Sequence, residues 1–186
     1  KKTLIFANSR NETEEIIHNL RRQAAVETED EDNYYVHHGS ISSAIRERAE
    51  EDMRNPNIPT CVAATITLEL GIDIGNLDQV LQLNASSTVS SFVRRLGRTG
   101  RRGSAAKMFF YSSEDVGDEN STLGEQIPWG LLQLIAVVQL YLEEKWIEPP
   151  EVPKLPTSLL YHQTMSILNG KTELTPPKLA EHVLSL

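Results

Sequence analysis

With 186 residues, of which 39% are hydrophobic and 24% charged, the chain has an ordinary globular balance and is long enough for one full domain and part of another. A net charge of −8 excludes a general electrostatic coat for DNA, so any nucleic-acid contact must be focused in one groove. The single Cys61 cannot close an internal disulfide, no apolar run reaches bilayer length and the N-terminus lacks a signal peptide, which predicts a cytoplasmic protein without membrane segment, redox chemistry or metal centre.

Leu4-Ile5-Phe6-Ala7 reads as a buried strand. Asn11 follows as an N-cap with Glu14 completing a capping box, ahead of Ile16, Ile17 and Leu20 on one helical face. The acidic run from Glu27 to Asp32 predicts a solvated loop, and Tyr34-Tyr35-Val36-His37 a second strand that claims His37 for the sheet. Ser42 is placed to cap a helix showing Ile45, Ala49 and Met53 at i, i+4 and i+8, ended by Asn55-Pro56-Asn57. Cys61–Ala64, Gln79–Leu83 and Ala106–Tyr111 supply three further strands. This alternation specifies an α/β fold, a parallel sheet with helices on both faces, whose ligands bind at the carboxyl ends of the strands. The loops at those ends hold Ser9-Arg10, His38-Gly39, Thr65 and an arginine cluster.

Composition changes after Ser113. A polar stretch leads to an apolar helix from Pro128, read as its first residue, to Lys145. A stiff proline-rich connector follows, then a helix over about 158–168 and another starting near Lys178. The expected organisation is a sheet domain over 1–125, a connecting helix and linker over 126–155, and the start of a helical or winged-helix unit over 156–186.

Five of the eleven arginines fall within 94–102. One reading is a solvated basic helix end paired with nearby glutamates. The other is a grip on phosphate oxygens, to which the guanidinium fork is matched and which the interleaved glycines let approach closely. The glycines favour the second, with a polyphosphate or a nucleic-acid backbone as partner. At Thr65 two roles stand together: a hydroxyl and following amides that hold a phosphate, and a simple helix cap. His38 has no second ligand at metal-site spacing.

Leu4-Ile5-Phe6-Ala7-Asn8-Ser9-Arg10, Ala64-Thr65-Ile66-Thr67-Leu68-Glu69-Leu70-Gly71-Ile72-Asp73 and Arg95-Leu96-Gly97-Arg98-Thr99-Gly100-Arg101 together resemble, in order and spacing, three motifs of the second RecA-like domain of superfamily 2 helicases. His37-His38-Gly39-Ser40 with Arg46, the form Leu68-Glu69-Leu70-Gly71-Ile72-Asp73, and Trp146-Ile147-Glu148-Pro149-Pro150 are similar to the Lhr-type large helicases. The resemblance implies a RecA-like sheet followed by a winged helix. It makes Arg98 and Arg101 arginine fingers for ATP with Mg2+. Gly71 and Asp73 become nucleotide-side residues, the latter accepting from the ribose; a backbone turn is the other reading of Gly71. Ser9, Arg10, His38, Gly39 and Thr65 become contacts to a nucleic-acid strand, DNA or RNA. Arg94 stands where the family usually has Gln or His, and Arg95 and Arg102 are open between ligand contact and structural salt bridge.

Asn169-Gly170-Lys171-Thr172 imitates the end of a phosphate-binding loop, but Met165 stands where its first glycine belongs. Neither a full GxxxxGK[ST] loop nor an Asp-Glu-x-Asp/His tetrapeptide is present. The expectation is therefore an ATP-dependent helicase fragment that is inactive alone and completed by the N-terminal RecA-like domain of the same protein. A non-catalytic nucleic-acid or protein docking module and a duplex translocase without unwinding are the rival readings.

Overall fold

The computed structural model describes residues 1–27, 33–69, 72, 74–100, 105–114, 121–150, 156–170 and 173–184. Five strands form one sheet: β1 (Lys2–Phe6), β2 (Tyr34–His37), β3 (Thr60–Ala64), β4 (Gln79–Leu83) and β5 (Met108–Tyr111). They lie in the order β2-β3-β1-β4-β5, and every neighbouring pair is parallel. Phe6 lies opposite Ala64 and Gln82, and His37 opposite Ala64, so the carboxyl ends of four neighbouring strands, β2, β3, β1 and β4, finish in one line.

Alternation along each strand divides the core. Leu4, Phe6, Val62, Ala64 and Val80 point to one face, where Ala49 and Met53 of α2 (Ser43–Arg54) cover them. Ile5 and Ala63 point to the other and meet Ile17 of α1 (Arg10–Glu27). Strands buried on both faces must be apolar without a break, which is why β1 and β3 were visible as short continuous runs. On the β5 side, Val89 and Phe92 of α3 (Val89–Leu96) pack with Val137 of α4 (Trp129–Leu142), and the Phe92 ring meets Phe110 at 5.9 Å and Tyr141 edge-on at 5.6 Å.

Several element ends differ from expectation. The capping box of α1 is Ser9 with Glu12, not Asn11 with Glu14. The Glu12 amide donates to Ser9 Oγ at 3.2 Å, and Glu12 Oε2 accepts from the amides of Ser9 and Asn8 at 3.0 Å each. Both pairs have the right spacing; β1 ends at Phe6, and the chain turns at once. Pro128 precedes α4 rather than opening it, and the helix stops at Leu142, with Lys145 at φ +54° turning the chain back. Ser42 occupies the cap position of α2 without a side-chain bond, and Ile45 is 49% exposed. The acidic run at 28–32 lies outside the described residues.

Compactness divides the chain into Lys1–Glu148 and Pro149–Leu186. The first unit includes α4. In the second, α5 (Thr157–Gly170) packs with α6 (Pro176–Leu184), and Asn169 and Gly170 are simply the last residues of α5. Among the described residues no helix is long and apolar enough to cross a membrane. Because Ile17 is buried and Ile45 is not, Ile17→Ala is expected to cost about 2–5 kcal/mol in urea unfolding and Ile45→Ala under about 1 kcal/mol.

Candidate functional site

Ser9, Arg10, His38, Gly39 and Thr65 all fall at the carboxyl ends of three adjacent strands, β1, β3 and β2. Backbone bonds extend the sheet one step past each strand: the Ala7 amide donates to Ala64 O at 3.0 Å and the Thr65 amide to His37 O at 3.4 Å. Ser9, Arg10 and Gly39 are exposed, and a Cβ added at Gly39 would meet open space. Thr65 precedes a single 3-10 turn, Ile66–Leu68, and its hydroxyl makes no cap bond.

The two histidines are spent on the fold. The His38 imidazole is buried, and its Nδ1 accepts from the Ser40 amide at 3.3 Å. Its Nε2 therefore carries the proton and donates to Glu14 Oε1 at 3.0 Å, tying the loop after β2 to α1. At His37, the Thr67 hydroxyl donates to the residue's own carbonyl at 2.9 Å, so His37 Nδ1 donates back to Thr67 Oγ1 at 2.8 Å. Its Nε2 lies 3.1 Å from Glu50 Oε1 on α2. His37 thus belongs to the strand, as expected, and also pins the turn after β3.

The described arginines separate into different jobs. Arg95 is 3% exposed, and its guanidinium donates from Nε to Glu69 Oε1 at 2.6 Å, from Nη2 to the same oxygen at 2.5 Å and from Nη1 to Gln82 Oε1 at 2.6 Å. It also lies 5.0 Å from the Phe6 ring centroid. Ser91 Oγ completes the shell of Glu69 at 2.9 Å. Of the two readings left open for Arg95, the salt bridge is the one observed. Arg94 is half-exposed, with Nε 3.8 Å from Glu69 Oε2. Arg98 donates from Nη1 to Ile72 O at 3.0 Å and from Nη2 to Glu69 O at 2.5 Å, which places it against the 69–72 segment. Gly71, Asp73, Arg101 and Arg102 lie outside the described residues. Gly100 has φ +72°, and a Cβ there would stand 2.7 Å from Ala106 N, so only glycine fits this turn. Sequence reading missed Glu69 as an organising residue. Its one local signal is a carboxylate between Leu68 and Leu70.

A cavity of about 480 Å³ opens at the opposite, amino end of the sheet, lined in part by Thr3, Tyr34, Cys61, Gln79 and Leu81. Burial pushes the Cys61 thiol up to about 12, which leaves almost no thiolate near neutrality. Among the described residues no group of three or more His, Cys, Asp or Glu side chains is gathered to hold a metal ion.

Alkylation of Cys61 by iodoacetamide at neutral pH is expected to run on the order of 10³-fold slower in the native chain than in urea, as followed by mass spectrometry. Glu69→Ala strands the buried Arg95 charge and is expected to cost about 3–5 kcal/mol by denaturant unfolding. Arg48→Ala, at an exposed pair with 4.0 Å separation, should cost under about 1 kcal/mol in the same measurement.

A family model described as the helicase conserved C-terminal domain matches residues 1–103, more than half of the chain. The chain is 39% identical over 100 residues to the ATP-dependent helicase Lhr-Core of Methanothermobacter thermautotrophicus, a match covering 54% of this chain and 11% of that protein. It is 40% identical over 99 residues to the Lhr-Core helicase of Saccharolobus solfataricus, covering 53% and 11%. The chain therefore matches only about a tenth of the length of these relatives. Among solved structures, the Mycobacterium smegmatis helicase Lhr bound to ssDNA and AMP-PNP superposes with a TM-score of 0.72 at 25% identity, over 98% of this chain and 22% of that one. The C-terminal domain of the DEAD-box protein Dbp5 superposes with a TM-score of 0.54 at 20% identity, over 77% and 71%. The motifs at the carboxyl edge of a parallel, RecA-like sheet and the extent of the family match lead to one conclusion: this chain belongs to the family of helicase conserved C-terminal domains, and it is similar to those of Lhr-type helicases.

Proposed function

We propose that the chain is the second RecA-like domain of an Lhr-type, ATP-dependent helicase, and that 156–186 begin a winged-helix domain. The observation that carries this reading is the Arg98 guanidinium lying on the Glu69 and Ile72 carbonyls. It joins the end of the arginine-bearing helix to Glu69 and Ile72, the described sequence neighbours of the candidate nucleotide residues Gly71 and Asp73. ATP with Mg2+ supplies the phosphoryl group when bound. Arg98 and Arg101 would present positive charge to its outer phosphate, and Asp73 would accept from the ribose. No carboxylate cluster fitting magnesium is present among the described residues, so the ion's ligands fall to the N-terminal RecA-like domain of the same protein. This chain alone would then bind nucleotide weakly and turn nothing over.

At the carboxyl ends of β1, β2 and β3, Ser9, Arg10, Gly39 and Thr65 would hold a single nucleic-acid strand by its phosphates. Binding of ssDNA by the M. smegmatis relative supports this assignment. With the His38 ring buried on Glu14, that residue would contribute through its backbone. Closure of the two RecA-like domains around ATP would move these residues relative to the partner domain, and reopening would advance the strand. Arg98→Ala in the full-length protein is expected to lower nucleic-acid-stimulated ATPase by roughly 10³ or more. Near-wild-type turnover in that variant would overturn the assignment.

A further inference from the structure

α3 is only two turns long, too short to hold its shape from its own hydrogen bonds, yet Arg94 and Arg95 sit in its last turn and Arg98 just beyond it. Its first turn is closed from outside. Thr88 Oγ1 accepts from the Ser91 amide at 3.1 Å, a local cap. The Val89 and Ser90 amides instead donate to the two oxygens of Glu148, at 2.7 and 2.8 Å. Glu148 is 58 and 59 residues away in sequence, and it is the last residue of the first compact unit. Burial pushes the Glu148 carboxyl up, but the amide bonds outweigh it and hold it below its usual value, so the group is an anion near neutrality.

The path that brings Glu148 there is also built. After α4 the chain turns at Lys145, whose φ is +54°, and the Trp146 amide donates back to Leu140 O at 2.9 Å. Two prolines, Pro149 and Pro150, follow Glu148 at once, so the connector into the second unit leaves stiffly from the residue that grips α3. A negative group at the start of α3 and guanidinium groups at its end both match the helix dipole.

We infer that Glu148 is a positioning residue: it latches the connector between the two units to the first turn of α3, so that the placement of the connector sets the placement of the arginine-bearing helix. The link to activity rests on the helicase reading above; the latch itself does not. In that reading, any movement of the connector in the longer protein reaches Arg98 through a helix two turns long.

The test compares Glu148→Ala with Thr88→Ala in the full-length protein. Both remove cap acceptors from the same turn, but only the first releases the connector. By hydrogen exchange and mass spectrometry, Glu148→Ala is expected to raise exchange about tenfold in the peptides covering both 88–92 and 143–150. Thr88→Ala should raise it in 88–92 alone. Nucleic-acid-stimulated kcat should fall about tenfold in Glu148→Ala with the KM for ATP unchanged, stay near wild type in Thr88→Ala, and be intermediate in Glu148→Gln, whose one carbonyl oxygen replaces one of the two bonds. Equal kcat in the two alanine variants, or unchanged exchange at 143–150 in Glu148→Ala, overturns the inference. If Arg98→Ala keeps its turnover the helicase reading fails, and the exchange pattern alone still decides for or against the latch.

Discussion

A buried carboxylate, Glu69, organises the carboxyl edge of this sheet. Removing it and Arg95 from water carries a desolvation penalty that one Coulomb contact does not reliably offset. The structure meets that penalty with geometry: two donors from Arg95, the Ser91 hydroxyl, and Gln82 taking a third Arg95 hydrogen. Through these bonds the turn after β3 is joined to α3 and to β4, while the Arg95 guanidinium rests over Phe6 of β1. Three strands and the arginine-bearing helix thus meet at a single anion. The turn from Thr65 to Glu69 is held on both sides, by Thr67 on His37 and by Glu69 on Arg95.

Helix termini supply the second organising element, and the two that matter are closed differently. At α1 the acceptor is local: Glu12 occupies the amides of Asn8 and Ser9, so those groups are not open to a phosphate without displacing a carboxylate. At α3 the acceptor is distant, and a change in the connector is a change in the helix. The first arrangement makes a rigid shelf; the second makes a joint.

Much of the fold was legible because its signals are local. Tyr34–His37 and Gln79–Leu83 are strands over the same residues in sequence and structure, since each is a short run rich in aromatic, β-branched and aliphatic residues. The start of α1 was not, because Ser9-x-x-Glu12 and Asn11-x-x-Glu14 are equally good caps and only the end of β1 chooses between them. The strand–helix alternation put Ser9, Arg10, Gly39 and Thr65 at the carboxyl ends of the strands, and the register brings those ends together. What stayed hidden was every pairing across distance. Glu69 meets Arg95 across 26 residues and Glu148 meets Ser90 across 58, and no periodicity encodes either. His38 sits in a motif read for ligand contact, and only the position of Glu14 shows its ring to be structural.

The contrast between Arg95 and Arg98 explains why a run of arginines is tolerated in an acidic chain. Arg95 is neutralised by a buried carboxylate and is fixed. Arg98 donates from its two terminal nitrogens to the carbonyl oxygens of Ile72 and Glu69. A guanidinium held this way has a preset orientation, and its planar fork matches two carbonyl oxygens as well as it matches two phosphate oxygens. In the proposed complex, exchanging one pair of acceptors for the other conserves the number of hydrogen bonds and adds an ionic attraction. A lysine would span neither pair. The structural role and the proposed finger role call for the same side chain.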